Sequence, residues 1–155
     1  MITIKNQQGE FLFRVAGILR NGNKILFQKN KKGDAWVLPG GRAEVNEPTE
    51  KAVVREFLEE LGFNIKVIRL FAVIENFNAY GYKSLHEFGM YYEVSLLKQL
   101  PHDFIQFEGI EESVRLIFRW VSVDELHQVN VYHKALKPLL TDLPTDFKHL
   151  VNLDD

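Results

Sequence analysis

Hydrophobic and polar positions along the chain first spell out short strands. Phe11 to Arg20 and Lys24 to Lys29 are two β-rich runs, and Asn21-Gly22-Asn23 between them is a strong hairpin signal. Ala35 to Leu38 is a short apolar run stopped by Pro39-Gly40-Gly41. The segment Pro48 to Leu61 predicts a helix. Proline suits its first turn, where a missing N–H costs nothing, and Gly62 suits the position just past its end. Strands are expected over Asn64 to Glu75 and Glu87 to Leu97, joined by a loop carrying Phe77, Tyr80, Gly81 and Tyr82. Pro101 to Ser113 reads as a loop and Arg115 to Val121 as a strand. Val131 to Thr141 reads as a helical tail, and the last ten residues read as weakly ordered. Short strands outnumber helices, which argues for a mixed sheet packed by helices, α/β or α+β.

The central helix carries the chemistry. With about 100° of rotation per residue and Thr49 set at zero, Val53, Phe57, Leu61, Val54 and Leu58 fall in one arc of about 140°. That arc is the expected core face. Glu56, Glu59 and Glu60 fall in a separate arc of about 100°, with small Ala52 one turn below Glu56. Like charges spaced three and four residues apart on a helix repel by a few tenths of a kcal/mol per pair. A merely solvated face would interleave lysines. Here the positions four residues downstream are Glu60, Phe63 and Asn64, and the nearby cation is Arg55. One guanidinium does not neutralise three carboxylates, whereas a divalent cation would. Oxygen-only ligands favour Mg²⁺, Mn²⁺ or Ca²⁺ over zinc.

The spacing around these glutamates is Gly41, five residues, Glu47, seven residues, then Arg55-Glu56-Phe57-Leu58-Glu59-Glu60-Leu61-Gly62-Phe63. It resembles the complete box of the Nudix (MutT-like) hydrolase family, Gly-x5-Glu-x7-Arg-Glu-U-x-Glu-Glu-x-Gly-U, where U is a bulky hydrophobic residue. All seven fixed positions match, at chance odds of roughly one in 10⁸ for a given site at typical residue usage. Aromatic Phe57 and Phe63 stand where the family usually has aliphatic residues. Trp36 to Gly41 resembles the family's strand and glycine turn before the box. Arg119 to Leu126 resembles its late strand and helix start, so the likeness runs from about Phe11 to Leu140.

The resemblance implies an α/β fold, an α/β/α sandwich around a mixed sheet. It also implies hydrolysis of the pyrophosphate bond in a nucleoside diphosphate linked to another moiety, X. The expected cofactor is Mg²⁺, with Mn²⁺ as a substitute. Glu56 and Glu60, one turn apart, lead as metal ligands; Glu59 would bind a second ion or position the water; the Gly40 carbonyl would be a further ligand. Arg55 and Glu47 are read as holding the loop against the helix and orienting a glutamate, as the family's arginine does. Glu56 or Glu59 would accept the proton, with Glu108, Glu111 and Glu112 in the loop before the late strand as alternates. Arg14 and Lys29 lie on early strands that flank the family's cleft. Phe77, Tyr80 or Tyr82 would stack on a base, or simply pack within the hairpin. Trp36, beside the glycine turn, reads as a buried strand residue. A non-catalytic nucleotide sensor of the same fold is the alternative, although such domains usually lose box glutamates.

Composition narrows the remaining choices. The chain has 155 residues, 46% hydrophobic and 26% charged, which suits one domain over residues 1–155. Without cysteine there is no thiolate metal site, disulfide or cysteine nucleophile, and a reducing cytoplasm fits. A net charge of −2 indicates no DNA partner and disfavours long RNA. The longest uninterrupted apolar run, Leu70 to Ile74, is far short of the roughly 20 residues a bilayer span needs, and no secretory signal is evident. Phosphate-loop, dinucleotide-fold and nucleophile-elbow glycine patterns are missing. The expected partner is a nucleotide-type small molecule. Its identity, the number of metal ions and a homodimer are left open.

Overall fold

A computed structural model describes residues 1–155. Nine strands form one sheet: β1 (Thr3–Asn6), β2 (Gly9–Asn21), β3 (Lys24–Asn30), β4 (Gly40–Arg42), β5 (Ile65–Phe77), β6 (Leu85–Leu96), β7 (Gln106–Glu108), β8 (Leu116–Ser122) and β9 (Lys148–Asn152). Its order is β7-β8-β3-β2-β6-β5-β9, with β1 and β4 also pairing β2. The β2–β6 and β5–β9 pairs are parallel and the others antiparallel, so the sheet is mixed. Helix α1 (Thr49–Leu61) packs on one face through Val53, Phe57 and Leu61, against Val15, Leu19, Tyr92, Phe118 and Trp120. Leu126, in the 3₁₀ turn Val123–Gln128, and Leu136 and Leu140 around α2 (Lys137–Thr141) close the other face over Phe27, Phe71 and Tyr91. This is the mixed α/β architecture expected. No helix is long and apolar enough to cross a membrane.

The expected hairpin forms, with β2 and β3 joined at Arg20–Ile25 and Asn21–Lys24. Beyond those two pairs the strands part. The segment before α1 enters the opening: Val37 bridges to Gln28, Trp36 bridges to Val131, and β4 pairs with Arg14 to Ala16. The parting of β2 and β3 thus places the glycine turn beside the helix.

Several expectations are corrected. The last ten residues are ordered, because β9 supplies the outer parallel partner that β5 otherwise lacks, from Ala72↔Lys148 to Asn76↔Asn152. The helical tail shortens to Lys137–Thr141, since Val131 is held in extended pairing by Trp36 and Pro138 favours a first turn. Pro101 to Ser113 contains β7, and β1 precedes the first expected strand. On α1, Leu58 is 49% exposed, whereas Ala52, Glu56 and Glu60 are buried with Val53, Phe57 and Leu61. The buried arc is therefore rotated by about 80° from the apolar arc and takes in two glutamates. The constraint is β4: Gly41 lies against Glu56, and the helix seats on that turn rather than on its most apolar face.

Candidate active site

Helix α1 ends as its sequence directs. Gly62 adopts the left-handed conformation (φ 70°) and its N–H bonds the Leu58 carbonyl, so the glutamates sit in an uninterrupted helix. A Cβ on Gly41 would lie 2.4 Å from the Glu56 carboxyl carbon. Only glycine lets backbone and carboxylate approach this closely.

Arg55 organises the rim. Its Nε and Nη2 donate to Glu47 Oε1 and Oε2 at 2.7 and 3.0 Å, a two-pronged pair. Nη1 donates to Glu56 Oε1 at 2.8 Å and to Glu59 Oε2 at 3.2 Å. A weaker bond from Nη2 reaches the Arg42 carbonyl at 3.4 Å. Arg55 holds the Glu47 carboxyl below the usual range. The expected bracing of the loop against the helix is thus what the geometry displays.

Glu56 and Glu60 meet different electrostatics. Burial pushes Glu56 up, partly offset by Arg55. Burial, and then the facing charge of Glu56, push Glu60 up to about 8; Arg14 eases this and Glu111 adds to it. Two touching buried carboxylates with too little positive charge retain a proton near neutrality. Glu59 differs, with its carboxylate about half exposed and turned to Arg55.

No three His, Asp or Glu side chains converge into a ready metal cage. The donor set is instead two buried carboxylates beside the glycine turn. Hard oxygen donors with surplus negative charge fit a divalent cation such as Mg²⁺.

Arg14, the neighbour of Arg42 across β2–β4, donates through Nη2 to the Leu38 carbonyl at 3.0 Å. Tyr80, Glu87, Tyr91 and Glu60 offset the cost of its burial and keep it charged. Ile110 donates its N–H to the Glu60 carbonyl at 2.8 Å, which brings the 109–112 loop to the helix end. Glu111 and Glu112 line an open cavity of ≈ 480 Å³ there with Lys31 and Arg115, while Glu108 pairs with Lys31 at 3.1 Å. Lys29 Nζ sits 5.1 Å from the centre of the Trp36 ring. Phe77 stacks on His86 at 4.4 Å, and the Tyr80 hydroxyl donates to Glu87 Oε2 at 2.5 Å. Both aromatics are therefore engaged within the protein. Tyr82 is exposed and lines a cavity of ≈ 540 Å³ with Lys5, Arg42 and Lys83.

A second buried cluster escaped the sequence reading. His133 bonds Glu87 Oε1 through Nε2 at 2.9 Å and Asp155 Oδ2 through Nδ1 at 2.5 Å. Asp155 also accepts from the Tyr80 N–H at 2.9 Å and from Asn152 Nδ2 at 2.7 Å. Burial opposes the His133 charge, but Asp155 and Glu87 outweigh it and raise the pKa. Burial likewise opposes charge on Glu87 and Asp155, yet their hydrogen bonds hold both below the usual range. One signal was available: alternation along β6 puts Glu87 on the same face as buried Tyr91, where a lone acid needs a partner. That the partner is His133, 46 residues away, follows only from the fold.

A mixed sheet with a carboxylate-bearing helix seated on a Gly-Gly turn defines a recognisable class of protein. The NUDIX domain model matches residues 11–143, and the chain belongs to that family. A putative 8-oxo-dGTP diphosphatase of Bacillus subtilis is 44% identical over 57 residues, 37% of this chain and 36% of that protein. An ADP-ribose pyrophosphatase of Methanocaldococcus jannaschii is 45% identical over 62 residues, 38% of this chain and 37% of that protein. The matched stretch thus spans little more than a third of these curated relatives. A NUDIX hydrolase from Nitrosomonas europaea superposes with a TM-score of 0.67 at 25% identity, over 98% of this chain and 83% of that one.

Proposed function

We propose that this chain, acting as one domain over residues 1–155, is a divalent-cation-dependent pyrophosphohydrolase that splits a nucleoside diphosphate linked to X. The observation that carries the reading is the buried, under-compensated Glu56–Glu60 pair against the Gly40-Gly41 turn. Nothing in the packing requires two carboxylates there, and a cation relieves their repulsion.

Glu56, Glu60 and the Gly40 carbonyl would hold Mg²⁺ or Mn²⁺, with Glu59 on the exposed side for a second ion. The chemistry such an ion would supply is neutralisation of the diphosphate charge and a lowered pKa of the attacking water. Arg55 donates to Glu56, fixes its carboxylate in direction and partly offsets the upward push of burial on it. Arg14 presents a permanent positive charge where phosphate oxygens carry negative charge. Water forms a new P–O bond, the P–O–P bridge breaks, and the water's proton passes to a carboxylate. Glu59 and Glu111 are the candidates for that base: Glu59 is the more solvated member of the box, and Glu111 borders Glu60 from the opposite loop.

Both relatives' names describe nucleotides with a phosphoanhydride, which supports that bond as the target and leaves X to experiment. The test is a panel of ADP-ribose, 8-oxo-dGTP, dinucleoside polyphosphates and UDP-sugars with Mg²⁺, products resolved by anion exchange. Hydrolysis at the anhydride that stops with EDTA is expected. No turnover across the panel, or turnover indifferent to EDTA, would overturn the proposal.

A further inference from the structure

Gln28 is a buried amide with half of its hydrogen bonding unmet. It lies on β3, opposite Phe118 of β8, and is 5% exposed. Its backbone is fixed by a two-way bridge to Val37, at 2.8 Å in each direction. Its side-chain Nε2 donates to the Gly40 carbonyl at 3.4 Å, while its Oε1 is buried and accepts from nothing in the protein. Reversing the amide would set Oε1 against the Gly40 oxygen, two acceptors face to face, so the orientation is determined.

The Gly40 peptide cannot swivel to meet Gln28 better. A Cβ at Gly40 would lie 2.0 Å from the Val15 carbonyl oxygen, so this backbone is pressed onto β2. A carbonyl has two lone pairs. The contact from Gln28 uses one and leaves the other free. A buried amide oxygen without a donor is uncommon, and a leucine of similar size would have none of its desolvation cost. A group that donates to this oxygen during function would account for the glutamine. Mg²⁺ sheds its water reluctantly, and the water it keeps is a strong donor.

We infer that Gln28 is a positioning residue of the metal site: Nε2 fixes the Gly40 carbonyl in direction, and Oε1 accepts a hydrogen bond from the hydration shell of the divalent cation. The inference rests on the cation reading of Glu56, Glu60 and Gly40 given above and adds a residue outside the box to it. Supporting partners of metal ligands typically contribute 10–100-fold to metal affinity.

The test is Mn²⁺ binding without nucleotide, read from the free-ion electron paramagnetic resonance signal, alongside kcat and KM for whichever panel nucleotide the wild type cleaves. Gln28→Leu is expected to melt no lower than the wild type, to bind Mn²⁺ about 10-fold more weakly, and to lose kcat more than KM at saturating metal. Gln28→Met, flexible and close in length, also removes both the donor to Gly40 and the acceptor, and is expected to weaken Mn²⁺ binding by about the same 10-fold. Wild-type Mn²⁺ affinity and kcat in Gln28→Leu would overturn this inference alone. A folded Gln28→Met with wild-type Mn²⁺ affinity would do the same, which keeps the test decisive if Gln28→Leu does not fold. A wild type that holds no Mn²⁺ would overturn the cation reading along with it.

Discussion

Glu60 and Glu87 are both buried, 8% and 1% exposed, yet they titrate in opposite directions. Around Glu87 the opposing charges are complete: the His133 imidazole bonds it, Tyr80 donates to it, Arg14 lies in its field, and Asp155 balances the far side of the imidazole. Glu60 faces another carboxylate; Arg14 relieves the repulsion and Glu111 adds to it. A satisfied buried charge ties strands and loops together. An unsatisfied one is a cost that packing alone does not explain, and such costs concentrate where a ligand relieves them. Burial by itself does not separate a structural acid from a functional one; the charges gathered around it do.

The sharpest way to break this contrast is to remove a partner from the satisfied cluster. Glu87→Leu leaves a buried imidazole facing one carboxylate instead of two, and should lower unfolding free energy by about 3–5 kcal/mol. Urea denaturation at pH 7 measures it. A loss under about 1 kcal/mol would show that the cluster is not a compensated network.

In the other cluster the same kind of change should act the opposite way. Glu60→Gln removes a repelling charge, so the metal-free protein should melt at the same temperature or higher. Turnover should nevertheless fall more than about 100-fold, beyond what loss of a ligand's supporting partner costs. Calorimetry without metal and a steady-state assay with Mg²⁺ test both halves. Wild-type-like turnover would remove Glu60 from the metal site.

The pH dependence should separate the clusters without mutation. Glu60 binds its proton more tightly folded than unfolded, so its contribution is full below its ordinary 4.5 and is lost as pH rises towards about 8. His133, also raised, contributes fully below its ordinary 6.5 and loses that contribution as pH climbs through its folded pKa. Glu87 and Asp155 are lowered; they stabilise above their ordinary 4.5 and 3.8, and that is lost as pH falls through their folded values. Mg²⁺ should therefore raise the melting temperature strongly at pH 8 and hardly at pH 5. An equal shift at both would mean that no proton is displaced.

The smallest effect expected is at Leu58. As an exposed residue it should tolerate Leu58→Lys within about 0.5 kcal/mol, whereas the helical-wheel reading would make it a core leucine worth about 2–5 kcal/mol. A melt resolves the two.

Much of the site was legible because its signals are local. The order Gly41, Glu47, Arg55, Glu56, Glu59, Glu60, Gly62 lies within one turn and one helix, where residue spacing translates directly into position. The β2–β3 hairpin and the glycine end of α1 were legible for the same reason. Missing were contacts made across the sheet. Glu87 lies on β6, His133 in the segment before α2 and Asp155 after β9, and no periodicity links them. The Gln28 amide meets Gly40 only because β3 leaves β2 after two paired residues.

The sequence alone determined which helix bears the carboxylates, where that helix starts and stops, and the likeness to the Nudix hydrolases. It could not determine which way the helix faces. Apolar spacing ranks faces by hydrophobicity alone, and by that rank Glu56 and Glu60 belonged outside. Tertiary packing reversed this, because a side-chain-free Gly41 let β4 close onto the helix and carry both carboxylates inward.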